Sequence, residues 1–132
     1  MSGFSADWLQ RREPYDAAAR SGTLAREFGA ALGPQQSHPK RIIDLAAGSG
    51  ANFRVLAPLI GGDQDWLLVD HDPQLIATQA VAIERWAERE GWRCSRNDES
   101  LDVMAGTSTW RVRARRIDLA HALEQIDATD CD

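Results

Sequence analysis

The sequence predicts an α/β fold built on a parallel sheet, and two apolar runs separated by a glycine-containing turn carry this prediction. The first run, residues 42–45 (IIDL), is short and continuous, as is typical of a strand buried on both faces. A turn of small residues follows, and apolar residues then recur at helical spacing until Gly61 and Gly62. The second run, residues 66–69 (WLLV), ends at Asp70. Strand, helix and strand in this order form a βαβ unit.

The composition is that of one globular domain. The chain has 132 residues, of which 43% are hydrophobic and 27% are charged. Its net charge of −5 argues against a general nucleic-acid-binding surface. Cys94 and Cys131 form neither a metal-binding spacing nor a disulfide framework, which fits a reducing compartment. The start of the chain has no apolar leader and no stretch approaches a membrane span, so we expect a cytoplasmic protein without membrane contact.

The turn of the βαβ unit suits a ligand that carries a nucleoside. Gly48 and Gly50 let the backbone approach a ligand closely and adopt angles that a Cβ atom disfavours. The helix that begins near Ala51 offers unpaired N–H groups to polar or anionic ligand groups. Asp70 follows the turn by about twenty residues, the separation at which a carboxylate can accept both ribose hydroxyls. We therefore predict a nucleoside-binding site at this turn.

Two cofactor classes use this geometry, and the glycine spacing distinguishes between them. A dinucleotide fingerprint, G-x-G-x-x-G, needs a third glycine, but that position counted from Gly48 is Phe53. Residues 44–50 (DLAAGSG) instead resemble motif I, D/E-x-G-x-G-x-G, of the class I S-adenosylmethionine-dependent methyltransferases. Ala46 replaces the first glycine of the motif, which narrows the space beside the methionine moiety. Residues 68–73 (LVDHDP) are similar to the second motif of that family, and the resemblance extends over about residues 40–120.

The resemblance implies a methyltransferase that binds S-adenosyl-L-methionine, and it assigns roles to individual residues. Asp44 would attract the ammonium group of the cofactor, Asp70 would bind the ribose, and His71 would lie along the adenine. Asp118 would accept the adenine amino group, and the backbone N–H of Leu119 would bind a ring nitrogen. The full predicted cofactor-binding set is Asp44, Ala46, Gly48, Ser49, Gly50, Asn52, Asp70, His71, Asp118 and Leu119.

Simpler roles stay open for two of these residues, and the catalytic residues are not identified. His71 also fits an ordinary surface position, and Asp118 also fits the cap of a helix that follows it. The three histidines form no metal-ligand cluster, and no nucleophile–base grouping can be assembled. We therefore predict no metal site.

Residues 1–39 are predicted to form an N-terminal helical segment, and residues 40–132 the cofactor-binding half-domain. Pro14 suits the first turn of one N-terminal helix, and Thr23 suits the cap of the next. If these helices close over the cofactor, Arg12 or Tyr15 can reach it, although a surface charge and a packed ring are the simpler interpretation.

After the second strand, Pro73 opens a long amphipathic helix that ends at Gly91, with Asp72 as its cap. Residues 101–104 and 109–116 then alternate in polarity, which predicts a hairpin whose second strand enters the sheet as strand three. The outward side chains of that strand form an arginine row, Arg111, Arg113 and Arg115. We interpret the row as the solvated face of an edge strand, with a polyanionic substrate as the alternative.

The resembled family has a Rossmann-like three-layer sandwich whose sheet continues beyond strand three, whereas this chain ends soon after that strand. We therefore expect a sheet truncated after strand three, the cofactor-binding half of a methyltransferase whose methyl acceptor is not identified. Such a sheet would leave its first strand at an open edge and permit self-association. Two alternatives stay open: a nucleotide-cofactor oxidoreductase of the NAD type, and a non-catalytic interaction module that keeps the fold.

Overall fold

The structure, a computed structural model, describes residues 5–19, 22–33, 38–118 and 120. These residues form a five-stranded mixed sheet and four helices, which confirms the predicted α/β class. The helices are α1 (Ala6–Ala19), α2 (Gly22–Ala31), α3 (Ala51–Ile60) and α4 (Pro73–Arg89). The strands are β1 (Lys40–Leu45), β2 (Gln64–Asp70), β3 (Arg93–Arg96), β4 (Leu101–Ala105) and β5 (Ser108–Arg116).

The strand order in the sheet is β1-β2-β5-β4-β3. β2 pairs in parallel with β1 on one side and with β5 on the other, so the predicted hairpin does deliver its second strand beside β2. β3 extends the hairpin into an antiparallel meander, and the sequence did not predict it. Its residues, RCSR, are mostly exposed and show no apolar alternation, so the ladder to β4 is what makes this segment a strand.

Aromatic residues dominate the core between the sheet and the helices α3 and α4. Phe53 of α3 packs edge-on against Trp66 and Trp86, with ring centroids 5.3 Å and 5.7 Å apart. Trp110 of β5 packs against Phe53, Trp86 and Trp92, so the βαβ unit and the meander share one core. α2 packs on α3 and α1 on α4.

The opposite face of the sheet carries a second, smaller cluster and the arginine row. Leu67, Val69 and Ile117 are buried there. Arg111 forms a salt bridge of 2.9 Å with Asp102 of β4, and Arg113 one of 3.3 Å with Asp65 of β2. The hydrogen bond and the charge of Asp102 raise the pKa of Arg111.

The prediction of an edge position for the arginine row is wrong, because β5 lies between β2 and β4. The salt bridges cross to both neighbouring strands, which is possible only for an interior strand. They also reduce the positive charge that the row presents to a polyanion. The polyanionic-substrate interpretation stays untested.

Two details of the predicted N-terminal helices are wrong. α1 runs through Pro14 instead of beginning there, and α2 begins at Gly22, so Thr23 lies inside its first turn. Arg54 of α3 binds Glu13, the residue before Pro14, and this contact holds α1 in place at the position where proline removes a backbone donor.

Other predictions on the fold are not tested by this arrangement. Among the described strands β1 pairs only with β2, and the self-association of this edge stays a prediction. The three-layer sandwich, the truncation after strand three and the division at residue 39 also stay predictions. None of the helices in the described ranges combines the length and the apolar character that crossing a bilayer requires.

Candidate functional site

The turn between β1 and α3 has an unusual backbone. Ala46, Gly48 and Gly50 all have positive φ angles, of 57°, 59° and 89°. Ala46 is the one non-glycine residue with a positive φ in the described part of the chain. The alternating left-handed positions coincide with the three glycines of the motif that this turn resembles, so the backbone of Ala46 has a conformation that favours glycine.

Asp70 ties the end of β2 to this turn. One carboxylate oxygen accepts the backbone N–H of Gly48 at 2.9 Å, and the other accepts that of Asp72, also at 2.9 Å. The residue is only 5% exposed. Each oxygen has a second lone pair, so the carboxylate keeps acceptor capacity for ligand hydroxyls.

The carbonyl of Gly48 is held from the other side by Gln79 of α4. The side-chain Nε2 of Gln79 donates to this oxygen at 2.8 Å, and the residue is 3% exposed. Its Oε1 is buried and has no hydrogen-bond partner among the described residues. The sequence analysis missed Gln79. The available signal was a polar residue between Leu75 and Ile83, at four-residue spacing on the buried face of the helix.

The two glycines of the turn have different surroundings. A Cβ on Gly50 would lie 3.4 Å from Leu68 and 3.5 Å from Ile83, so this glycine packs against the core and begins α3. A Cβ on Gly48 would lie 3.5 Å from Cδ1 of Leu9, so α1 passes over this position. Gly48 is half-buried beneath Leu9 whereas Gly50 is buried, so Gly48 is the more accessible glycine of the pair.

Arg54 joins the turn to α1 and was also missed by the sequence analysis. Its Nη1 donates to the carbonyl of Ser49 at 2.8 Å, and its Nε donates to Glu13 at 3.2 Å. The guanidinium is buried, with the residue 8% exposed. The two acceptors satisfy a cation that would otherwise be costly to bury. The available signal was a charge adjacent to Phe53, within the buried stripe of α3.

Asp44 and Asn52 also meet at the turn. The side-chain amide of Asn52 donates to Oδ1 of Asp44 at 3.3 Å, which connects the carboxyl end of β1 to the first turn of α3. Asp44 is buried and Asn52 is half-buried. The two residues predicted from the motif therefore contact one another.

The predicted adenine-binding residues lie at the same edge of the sheet. Ile117 N–H donates to the carbonyl of Asp70 at 3.0 Å, which continues the β2–β5 pairing and brings Asp118 to the level of His71. The exposed side chain of His71 lies 3.6 Å from Asp70. Asp118 accepts the N–H of Ala120 at 3.0 Å, an interaction typical of a helix cap. Leu119 lies outside the described residues.

Two cavities are lined by residues of α4. The larger, of about 680 Å³, lies between α1 and α4 and reaches Ser49 and Arg54. The smaller, of about 250 Å³, lies between α4 and the meander and is lined by Gln79 and Ala114. Within the described ranges no group of His, Cys, Asp and Glu residues is arranged to hold a metal ion. Of these two cavities, the larger one reaches the turn.

Comparison of the chain with protein-family models, with curated proteins and with solved structures gave no significant match in any of the three. The functional assignment therefore depends on the residues and the geometry of this chain.

Proposed function

We propose that the chain is the cofactor-binding portion of an S-adenosylmethionine-dependent methyltransferase. The observation that carries the proposal is the hydrogen bond from Gly48 to Asp70, which brings the glycine turn and the acid of β2 together beside two parallel strands. The positive φ of Ala46 supports it further, because the backbone at this position has the form that the motif's glycine would take. Ligands of open parallel sheets bind at the carboxyl ends of the strands.

The residues present fit the cofactor. Asp70 retains one acceptor site on each oxygen for the ribose hydroxyls, and the buried Asp44 supplies negative charge for the ammonium group. His71 and Asp118 lie at the edge where the adenine would extend. The sulfonium of the cofactor is already electrophilic, so the protein mainly supplies binding and alignment. The methyl acceptor stays unassigned.

Phe53 argues against the oxidoreductase alternative. It occupies the position of the third glycine of a dinucleotide fingerprint, where glycine permits close packing of helix and strand. Here the ring is fully buried and packs edge-on against Trp66. α3 therefore packs on the sheet through a large side chain, where the fingerprint has a glycine. We propose a cytoplasmic location for the enzyme, since Cys94 forms no disulfide with any residue that the structure describes.

Calorimetric titration with S-adenosylhomocysteine and, separately, with NAD tests the proposal. We expect the nucleoside thioether to bind and NAD to bind at least tenfold more weakly. Asp70→Asn should weaken S-adenosylhomocysteine binding about tenfold, because a charged acceptor to the ribose hydroxyls is lost. Asp72→Asn is the matched control: it removes a neighbouring carboxylate, and asparagine caps a helix equally well.

Two results would contradict the proposal. One is the absence of S-adenosylhomocysteine binding to a folded chain. The other is equal affinity of the Asp70→Asn and Asp72→Asn proteins for this ligand, which would remove Asp70 from the site. Preferential binding of NAD would favour the oxidoreductase alternative instead.

A further inference from the structure

The larger cavity is a groove that runs along α4, and its walls differ in character. Apolar residues of α4 (Ala77, Val81 and Ala82) line its length. α1 forms the opposite wall, and Ser49 of the glycine turn and Arg54 of α3 also line the groove. From Ala77 to Arg89 the helix rises about 18 Å at roughly 1.5 Å per residue, so the groove is elongated. Val81 is 42% exposed, so the groove presents apolar surface to solvent.

The charges at the groove are unequally satisfied. Asp7 on the α1 wall pairs with Arg11 at 3.1 Å, and Glu13 pairs with the buried Arg54. Both acids of the lining therefore already have cationic partners. Arg85 and Arg89 line the groove near the C-terminal end of α4, and within the described ranges no salt bridge joins either of them to an acid.

Arg85 and Arg89 are four residues apart on α4, so their side chains lie on the same face of the helix. Two guanidinium groups at this spacing can bind one carboxylate with several charge-assisted hydrogen bonds. An apolar body extending from that carboxylate would cover Val81 and the neighbouring alanines and would remove their surface from water.

From this geometry we propose that the groove binds an elongated apolar monocarboxylate, with its carboxylate at Arg85 and Arg89 and its apolar end directed toward Ser49. The groove shares Ser49 with the set of residues predicted to bind the cofactor, but its occupation does not require a cofactor. If the proposed function is right, the apolar end of the ligand lies near the bound cofactor, and only this part of the proposal rests on the proposed function. The volume of about 680 Å³ is in the range of small-molecule sites.

Dodecanoate is the probe, and dodecyltrimethylammonium is its control, because the two share an apolar chain and differ in the sign of the head group. Calorimetric titration of the 132-residue chain with dodecanoate should show saturable binding at one site. The cationic control should bind at least tenfold more weakly. Equal affinity for the two probes, or no binding of dodecanoate, would overturn the proposal.

Matched variants separate the two ends of the groove. Arg85→Gln should weaken dodecanoate binding about fivefold, the effect of one partly exposed charge, whereas Arg93→Gln on the exposed strand β3 should leave it unchanged. Val81→Glu should abolish binding by placing a charge in the apolar path, and Leu24→Glu, at another exposed apolar position, should not. Circular dichroism verifies that all four proteins are folded.

Unchanged affinity in the Arg85→Gln and Val81→Glu proteins would show that dodecanoate binds elsewhere and would overturn the assignment of the groove. Titration of the same four proteins with S-adenosylhomocysteine keeps the two proposals distinct. Loss of dodecanoate binding with retained nucleoside binding supports the groove alone, and failure of nucleoside binding in the wild-type chain concerns only the proposed function.

Discussion

The backbone N–H of Gly48 donates to the carboxylate of Asp70 at 2.9 Å, across 22 residues of sequence. This bond joins the turn after β1 to the end of β2, two segments that the chain separates by the whole of α3. Gln79 holds the carbonyl of the same glycine from α4. Both the N–H and the carbonyl of Gly48 are thus held by side chains, and the turn is preorganised before any ligand binds.

Asp70→Asn should also lower stability, because one of the two carboxylate oxygens becomes an N–H₂ group that cannot accept. Either Gly48 or Asp72 then loses its partner in a buried environment, at a cost of about 1–3 kcal/mol. Urea denaturation measures this effect. The Asp72→Asn protein should unfold within about 0.5 kcal/mol of the wild type, since the cap is retained. Equal stability of both variants would show that the bonds to Asp70 contribute nothing.

Ala46→Gly should stabilise the protein by about 1 kcal/mol, because alanine at a φ of 57° carries strain that glycine lacks. Ala47→Gly is the control: this neighbour is buried and has no positive φ, so glycine should destabilise there by about 1 kcal/mol. Thermal melting of both proteins checks the opposite signs. A lower melting temperature for Ala46→Gly would contradict the left-handed geometry of the turn.

Leu9→Ala should raise the affinity for S-adenosylhomocysteine severalfold. The side chain of Leu9 lies over Gly48, and Asp70, which binds the N–H of Gly48, is only 5% exposed. A ligand that must displace a side chain binds more weakly, because part of the binding free energy is used to move that side chain. Truncation to alanine removes this cost. Calorimetric titration measures the change, with Leu24→Ala on α2 as the control at an exposed position. Weaker binding in Leu9→Ala would instead indicate that Leu9 contacts the ligand.

Gln64→Met should destabilise the protein by about 3 kcal/mol. The buried amide of Gln64 donates to the carbonyls of Ala57 and Gly61 and accepts the indole N–H of Trp66 at 2.7 Å. Methionine fills a similar volume but leaves these groups unpaired away from water. Chemical denaturation measures the loss, and Gln74→Met at an exposed position of α4 serves as the control. A loss below 0.5 kcal/mol would show that the network is dispensable.

Glu84→Gln should speed the alkylation of Cys94 at a given pH. Burial, followed by the negative charge of Glu84, raises the pKa of this thiol, and only the thiolate reacts. Removing the charge lowers the pKa, so the pH–rate profile should shift toward lower pH. Iodoacetamide labelling in a Cys131→Ser background measures the profile, with Glu88→Gln as the control. An unshifted profile in Glu84→Gln would exclude an electrostatic effect of Glu84.

Local pattern was sufficient for the elements that a few neighbouring residues specify. Gly61 ends α3, Pro73 opens α4, and Asp72 caps it by accepting the N–H of Gln74 at 2.9 Å, as the sequence predicts. Capping and the conformational limits of proline and glycine act within one helical turn, so the sequence shows them directly. The hairpin of β4 and β5 was predicted from the alternation of polarity along its two strands, which is also a local pattern.

By itself the sequence determined the βαβ unit, the glycine-containing turn at its centre and the acid at the end of its second strand. Only the tertiary structure decided that β3 joins the sheet, that β5 is an interior strand, and that Gln79 and Arg54 hold the turn. These features depend on partners distant in sequence: β3 forms because β4 pairs with it, and a buried amide or guanidinium is tolerated because its acceptors come from another element. Hydrophobic periodicity shows which face of a segment is buried. It does not show which residues of other segments contact that face, because those contacts form only when the segments pack together.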